Sequence, residues 1–278
     1  MDKEGLKKLL KEFFDNSAGN FVDKEKALSP ELAGMRIFDE PLIGFASAND
    51  LCFEEAKKPE IIGAHFMTPN EWLNGAKTVV SIFLPLTEQI RKANRNDMVW
   101  PANEWFHGRI DGQVFQNSVC SFVEELFKKE GYSALAPLTD PRIGKGTSKA
   151  SDKTEQSYYT SNWSERHAAY VSGLGTFGLS KGLITRKGIA GRFSSIITTA
   201  VFEPDERPYS GIYDYCIFCG ACVRNCPVAA ISKEEGKKHY PCSTFLDSVK
   251  KKHDPFYGCG KCQVKVPCED KAPASLRP

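Results

Sequence analysis

The chain has 278 residues, 41% hydrophobic and 26% charged, proportions of a folded globular protein that exclude a disordered or fibrous one. That length accommodates one large domain with a small one appended, or two modest domains, each with a real core. The formal net charge of +2 makes no global case for nucleic acid or membrane binding, and no run approaches the roughly 18–20 apolar residues of a membrane helix.

Near the start, Leu6, Leu9, Leu10, Phe13 and Phe14 recur at i, i+3, i+4, i+7 and i+8 among lysines and acids. This predicts an amphipathic helix and not an export signal, hence a cytoplasmic protein. The run PLIGFASANDLCFEEAK (41–57) ends its apolar part in a turn or helix cap, and AKTVVSIFLPL (76–86) reads as a buried strand stopped by Pro85. Phe115, Val119, Phe122, Val123, Leu126 and Phe127 give a core-facing helix closing at Gly131. Cys120 beside that stripe, and Cys52, read as small buried hydrophobes. Residues 139–166 read as a long loop of the functional kind, followed by a helix, a glycine-dense turn and a strand at 194–202. Alternating helices and strands predict an α/β layer. Residues 203–215 read as a linker into a small cysteine-dense module.

Eight of the ten cysteines fall between Cys216 and Cys268. Without an export signal this argues for reduced, metal-bound thiolates over disulfides. Cys216, Cys219, Cys222 and Cys226 form C-x2-C-x2-C-x3-C-P, the bacterial ferredoxin run, whereas zinc ribbons use two separated C-x2-C pairs. In two-cluster ferredoxins the fourth cysteine of such a run serves the other cluster. Cys216, Cys219 and Cys222 then need a partner and Cys226 needs three, and Cys242, Cys259, Cys262 and Cys268 supply them. The expected sharing is Cys268 with Cys216, Cys219 and Cys222, and Cys226 with Cys242, Cys259 and Cys262, giving two 4Fe-4S clusters that relay electrons. The lysines around them, Lys233, Lys237, Lys238, Lys250, Lys251, Lys252, Lys261 and Lys265, read first as a solvated face and second as a docking patch.

His65, His107 and His167 show no metal-ligand spacing and read as polar or capping contacts. Trp100, Trp105, Phe106, Tyr158 and Trp163 read as core filling ahead of a pocket floor.

SNWSERHAAYVSGLGTFGLSKGLIT (161–185) joined to this cysteine order resembles the epoxyqueuosine reductases, an arrangement shared with the reductive dehalogenases. The resemblance runs over about residues 70 to 270 and rests on Glu165, Arg166, Gly173, Leu174, Gly175, Gly178 and Lys181, then on the eight cysteines. It implies a cobalamin-dependent reductase: an α+β sandwich similar to the flavin nitroreductases and B12 chaperones (residues 1–205), and a C-terminal ferredoxin-like module with two clusters (206–278). Gly173, Leu174, Gly175, Gly178 and Lys181 become candidate corrinoid-binding residues.

The chain departs from the family in several places. Where epoxyqueuosine reductases carry an aspartate resembling a proton donor, this sequence has Tyr159; the dehalogenases use a tyrosine, so Tyr159 is the candidate acid, with an aromatic loop anchor as the plainer alternative. Five residues separate Cys262 from Cys268, with Pro267 before the cysteine, where the family has three and a C-P. Ten residues follow Cys268, so a form without the tRNA-gripping helical repeats is expected. The resulting expectation is reductive cleavage of a bond in a small-molecule substrate, with electrons from an external low-potential donor of flavodoxin or ferredoxin type. The alternatives are an electron-transfer or corrinoid-reducing protein without its own substrate chemistry, and tRNA modification, against which the charge balance argues.

Overall fold

The computed structural model describes residues 1–144 and 160–273. In chain order its elements begin with α1 (Lys3–Asn16), β1 (Leu42–Ser47), α2 (Leu51–Glu55), α3 (Pro69–Trp72), β2 (Thr78–Pro85), α4 (Glu88–Ala93), α5 (Asn103–Arg109), α6 (Asp111–Lys129) and β3 (Ala134–Leu135). They continue with α7 (Glu165–Val171), β4 (Gly175–Phe177), β5 (Leu183–Thr185), β6 (Gly191–Thr198), α8 (Ala221–Arg224), β7 (Ile231–Ser232), β8 (Gly236–Lys237) and α9 (His239–His253).

An antiparallel sheet of order β1-β2-β6-β3 forms the middle layer. Every residue of β2 is buried, which explains its unbroken apolar run: both faces of this strand are covered. Val80, Ile82 and Leu84 face α1 and α6 with Leu6, Leu10, Phe14, Phe115 and Val119. Burying each such side chain contributes about 1.5–3 kcal/mol. Val79 and Ile197 face the opposite way, toward Phe53, Phe66, Trp72 and Trp163. Trp163 stacks on Phe53 and Phe66, with ring centroids at 5.8 and 5.5 Å, so it fills the core as expected. Cys120 is fully buried.

Three expectations need correction. The strand placed at 194–202 is β6 at Gly191–Thr198. Thr198 Oγ1 accepts from Ala200 N at 3.1 Å, and Thr78 Oγ1 accepts from Phe202 N at 3.1 Å, which draws the apolar tail out of the ladder. The glycine-dense turn is itself a β-hairpin, β4 paired with β5. The segment read as a linker is tied down: Asp205 N donates to Phe45 O at 2.8 Å, Phe177 N to Ile212 O at 2.7 Å, and the Tyr209 hydroxyl to Tyr170 O at 2.5 Å. No helix among the described residues is long and apolar enough to cross a membrane.

The cysteine-rich segment packs against α4 and α5. Asn94 Nδ2 donates to Cys259 O at 2.9 Å. Gly260 lies against Trp105, where a Cβ would come within 1.9 Å of the indole. Glu269 takes ion pairs from Arg91 and Arg95.

Candidate metal centre and adjoining cleft

Cys216, Cys219, Cys222 and Cys268 line one cavity, closed by Gly178, Leu179 and Ser180 from the β4–β5 turn and by Ile184 and Ile189. The loop carrying the first three turns sharply: Phe218 and Gly220 have φ of +51° and +70°. Gly220 adopts this at no steric cost, whereas Phe218 is held there by its surroundings. Thr176 Oγ1 receives Tyr215 N at 2.8 Å, anchoring the loop to β4. Cys268 arrives from the far end of the segment, its carbonyl accepting Ile189 N at 2.9 Å. The two extra residues before it are absorbed in a turn in which Lys265 has φ +54° and its N–H donates to Glu269 Oε2 at 2.6 Å.

Cys226, Cys242, Cys259 and Cys262 make the second gathering, each within electrostatic reach of Cys262 or Cys259. Cys226 Sγ accepts Ala230 N at 3.2 Å. The gatherings adjoin, for Cys262 is a charged neighbour of Cys222. The structure thus gathers the eight cysteines in one region where Cys222 and Cys262 adjoin; their division into two sets of four is the expectation from the spacing.

The donor chemistry fits cluster binding. As bare thiols these groups are hard to ionise: burial first, then neighbouring sulfurs, push Cys222 up to about 11 and Cys268 to about 12. Cys259 rises to about 12 in the same way, burial leading. Packing such sulfurs together is costly unless cationic iron compensates them. Among the described residues no three His, Cys, Asp or Glu side chains converge on a single-ion site.

Lys261, read from the sequence as one of a solvated set, has no exposed surface. Its ammonium donates to Asn94 O and Oδ1 at 2.8 and 2.7 Å, and burial pushes its pKa down to about 8 against the opposing pull of Cys259.

The other side of the second gathering meets α7. Both carboxylate oxygens of Glu165 are buried without a hydrogen-bond partner. Of the neighbouring donors, Trp163 Nε1 donates to Ser195 Oγ at 3.0 Å. Burial pushes the Glu165 carboxyl up to about 8, with Ser195 and Trp163 opposing. Ser81, opposite Ser195 in the ladder, also has an unpartnered hydroxyl. Arg166 keeps open surface. Desolvation lowers its pKa, and Cys262 opposes that. His167 bonds Ser164 Oγ at 2.8 Å and packs on Phe177; burial, then Arg166, lowers its pKa to about 4.

His107 is a buried clamp, Nε2 accepting Leu28 N at 3.1 Å and Nδ1 meeting Asp111 Oδ2 at 2.6 Å. His65 meets Thr160 Oγ1 at 2.5 Å. The glycine-turn residues are not brought together. Gly173 and Leu174 border a groove with Lys7, Lys11, Arg186 and Lys187. At Gly175 a Cβ would lie 2.0 Å from Ile184 O, and at Gly178 it would lie 3.1 Å from Ile184 Cδ1. Lys181 is exposed at the hairpin tip with φ +56°. Tyr159 and Tyr158 lie outside the described residues.

Residues 210–232 match the family model described as 4Fe-4S binding domain. No curated protein matches the chain. Among solved structures, a selenomethionine-labelled epoxyqueuosine reductase aligns with a TM-score of 0.53 at 18% identity, over 96% of this chain and 66% of that one. The Bacillus subtilis epoxyqueuosine reductase aligns at 0.52 and 18%, over 99% and 68%. The catabolic reductive dehalogenase NpRdhA, in complex with 3-bromo-4-hydroxybenzoic acid, aligns at 0.53 and 16%, over 83% and 30%. The chain therefore spans about two thirds of the length of these reductases and under a third of the dehalogenase. It has the fold that the epoxyqueuosine reductases and the reductive dehalogenases share, with a ferredoxin-like 4Fe-4S binding segment in its C-terminal part.

Proposed function

We propose that this chain is an iron-sulfur reductase in which a surface 4Fe-4S cluster on Cys216, Cys219, Cys222 and Cys268 feeds a second on Cys226, Cys242, Cys259 and Cys262. The second cluster delivers electrons toward Glu165 and Arg166. The observation that carries this reading is the junction itself. Cys222 and Cys262 are electrostatic neighbours between the two sets, Cys219 is exposed, and Cys262 faces Arg166. A path that begins at an exposed thiol suits one-electron traffic from solvent.

A corrinoid is the cofactor this reading places beside Glu165 and Arg166, and the domain holding it is then a relative of the nitroreductase and B12-chaperone plan. Orphaned Glu165 oxygens, the Ser81 hydroxyl and Arg166 fit a ligand rimmed with amide groups, which offer both donors and acceptors. When bound, such a group supplies a strongly reducing cobalt centre. Glu165 and Arg166 would hold and orient it and keep charge balanced beside Cys262. Gly175 and Gly178, with Ile184 in their open side, shape the hairpin in this reading, and Tyr159 remains the candidate acid for a small-molecule substrate.

Anaerobic reconstitution with iron and sulfide counts, followed by a visible titration with cobalamin under reducing conditions, tests the reading. About eight irons per chain and a saturable corrinoid spectrum are expected. Four irons would sink the two-cluster relay, and no spectral change with cobalamin would remove the corrinoid.

A further inference from the structure

The surface over the first cysteine cavity is unusually apolar for an exposed loop. Ile212, Tyr213, Ile217 and Phe218 are 51%, 43%, 42% and 44% exposed within one short stretch. The Tyr213 and Phe218 rings meet edge-on at 5.7 Å. Phe218 is presented by a backbone with φ +51°, which a bulky residue keeps only where the surrounding structure holds it. Ile217 and Cys219 belong to this face and to the cavity wall at once, so the patch sits directly on the exposed thiol.

Cations rim it. Arg224 Nη1 donates to Cys219 O at 3.2 Å. A side chain at Gly220 would meet Lys233 Cε at 3.1 Å and Arg224 Nη1 at 3.5 Å, so both reach over the same loop. The carboxylate in the stretch, Asp214, is occupied by Ser210 N and Gly211 N at 3.0 and 2.9 Å. Apolar centre and cationic rim are complementary to a partner with carboxylates around a surface redox group. A second copy pairing through the same face would oppose Arg224 and Lys233 to their own kind.

We propose that this face docks a small acidic one-electron carrier protein; the proposal rests on the cluster reading above. One electron leaves the carrier's reduced group and enters the surface cluster, so the carrier is oxidised by one electron and the cluster reduced by one, with no bond or proton moved.

The test is calorimetric binding of oxidised flavodoxin, an acidic carrier, to the reconstituted chain. Binding that weakens with salt is expected, about tenfold weaker for Lys233→Glu, for Ile212→Ser and for Arg224→Glu. Lys7→Glu/Lys11→Glu, in the groove beside α1, should stay within about twofold of wild type. Absent binding, an unchanged Lys233→Glu, an equal loss in the α1 variant, or dimerisation through this face would overturn the proposal. Iron content and dithionite reduction separate the two failures: about eight reducible irons without carrier binding defeat only the docking face, whereas missing clusters defeat the reading beneath it.

Discussion

Arg166, in the first turn of α7, faces Cys262 of the C-terminal segment, and the sulfur opposes the desolvation of the guanidinium. A fixed positive charge beside a cluster thiolate favours the reduced state of that cluster. Replacing Arg166 with Met should therefore lower the potential of the enclosed cluster while leaving the surface one in place. A coupling of about 1 kcal/mol at the effective dielectric of such sites corresponds to about 40 mV for one electron. Redox titration followed by electron paramagnetic resonance reads this, and Arg166→Lys should recover much of the shift. Equal shifts in both clusters would show that the charge acts generally.

Glu165 gives a stability signature with a definite sign. Burial raises its folded pKa to about 8 from the ordinary 4.5. Between those values the native state holds a proton that the unfolded chain has released, so stability falls as pH rises through this window and the full penalty is present above about 8. Glu165→Gln removes the group. The variant should match wild type near pH 4.5 and melt at least about 3 °C higher at pH 8, by calorimetry across pH. A constant difference would mean that the carboxyl does not titrate in this range.

Much of this arrangement is legible in the sequence, for physical reasons. A cubane demands a fixed number of thiolates at short spacing, so the division of eight cysteines into two sets follows from the C-x2-C-x2-C-x3-C-P run by counting. Period and apolar runs likewise mark α1, β2 and α6, because each buries a continuous stripe. Lys261 is different: its burial is decided by Asn94, whose backbone and side-chain oxygens meet its ammonium from a distant part of the chain. The same holds for Glu165, whose buried oxygens lie near Trp163 and Ser195 from other parts of the fold. Gly175 and Gly178 look like a ligand cradle in the sequence, but the space beside them is taken by Ile184.

Gly260 allows a selective lesion. It has φ +70°, and a Cβ would come within 1.9 Å of Trp105, so Gly260→Ala must shift either the indole or the loop between Cys259 and Cys262. The loop carries two of the four proposed ligands of the enclosed cluster. Reconstituted Gly260→Ala should therefore hold about four irons where wild type holds about eight, with the surface cluster's spectrum retained. Full iron loading would show that Trp105 yields instead.

His107 should matter to folding and not to iron. Its ring is fully buried between Leu28 N and Asp111. Substituting Ala leaves a part-buried amide and a carboxylate unpaired, at about 1–3 kcal/mol for the first alone. A melting point about 3–6 °C lower is expected, with iron content unchanged. Loss of iron without destabilisation would place His107 at a metal after all.

The sharpest test concerns Cys222 and Cys226, which lie on adjacent turns of the same short segment around α8 yet serve different clusters in the proposed arrangement. Cys222 has Cys262 as well as Cys216 and Cys219 as charged neighbours, and Cys226 is also a neighbour of Cys262, so proximity alone does not divide them. If C-x2-C-x2-C-x3-C served one cluster, Cys222→Ser and Cys226→Ser would damage the same centre. In the shared arrangement Cys226→Ser damages the enclosed cluster and Cys222→Ser the exposed one. The two lesions can be told apart because only the exposed cluster has Cys219 at the surface: the cluster surviving in Cys226→Ser should be rapidly bleached by a bulky hydrophilic oxidant, and the one surviving in Cys222→Ser should resist it. Identical bleaching rates and spectra in the two variants would return all four cysteines to one cluster.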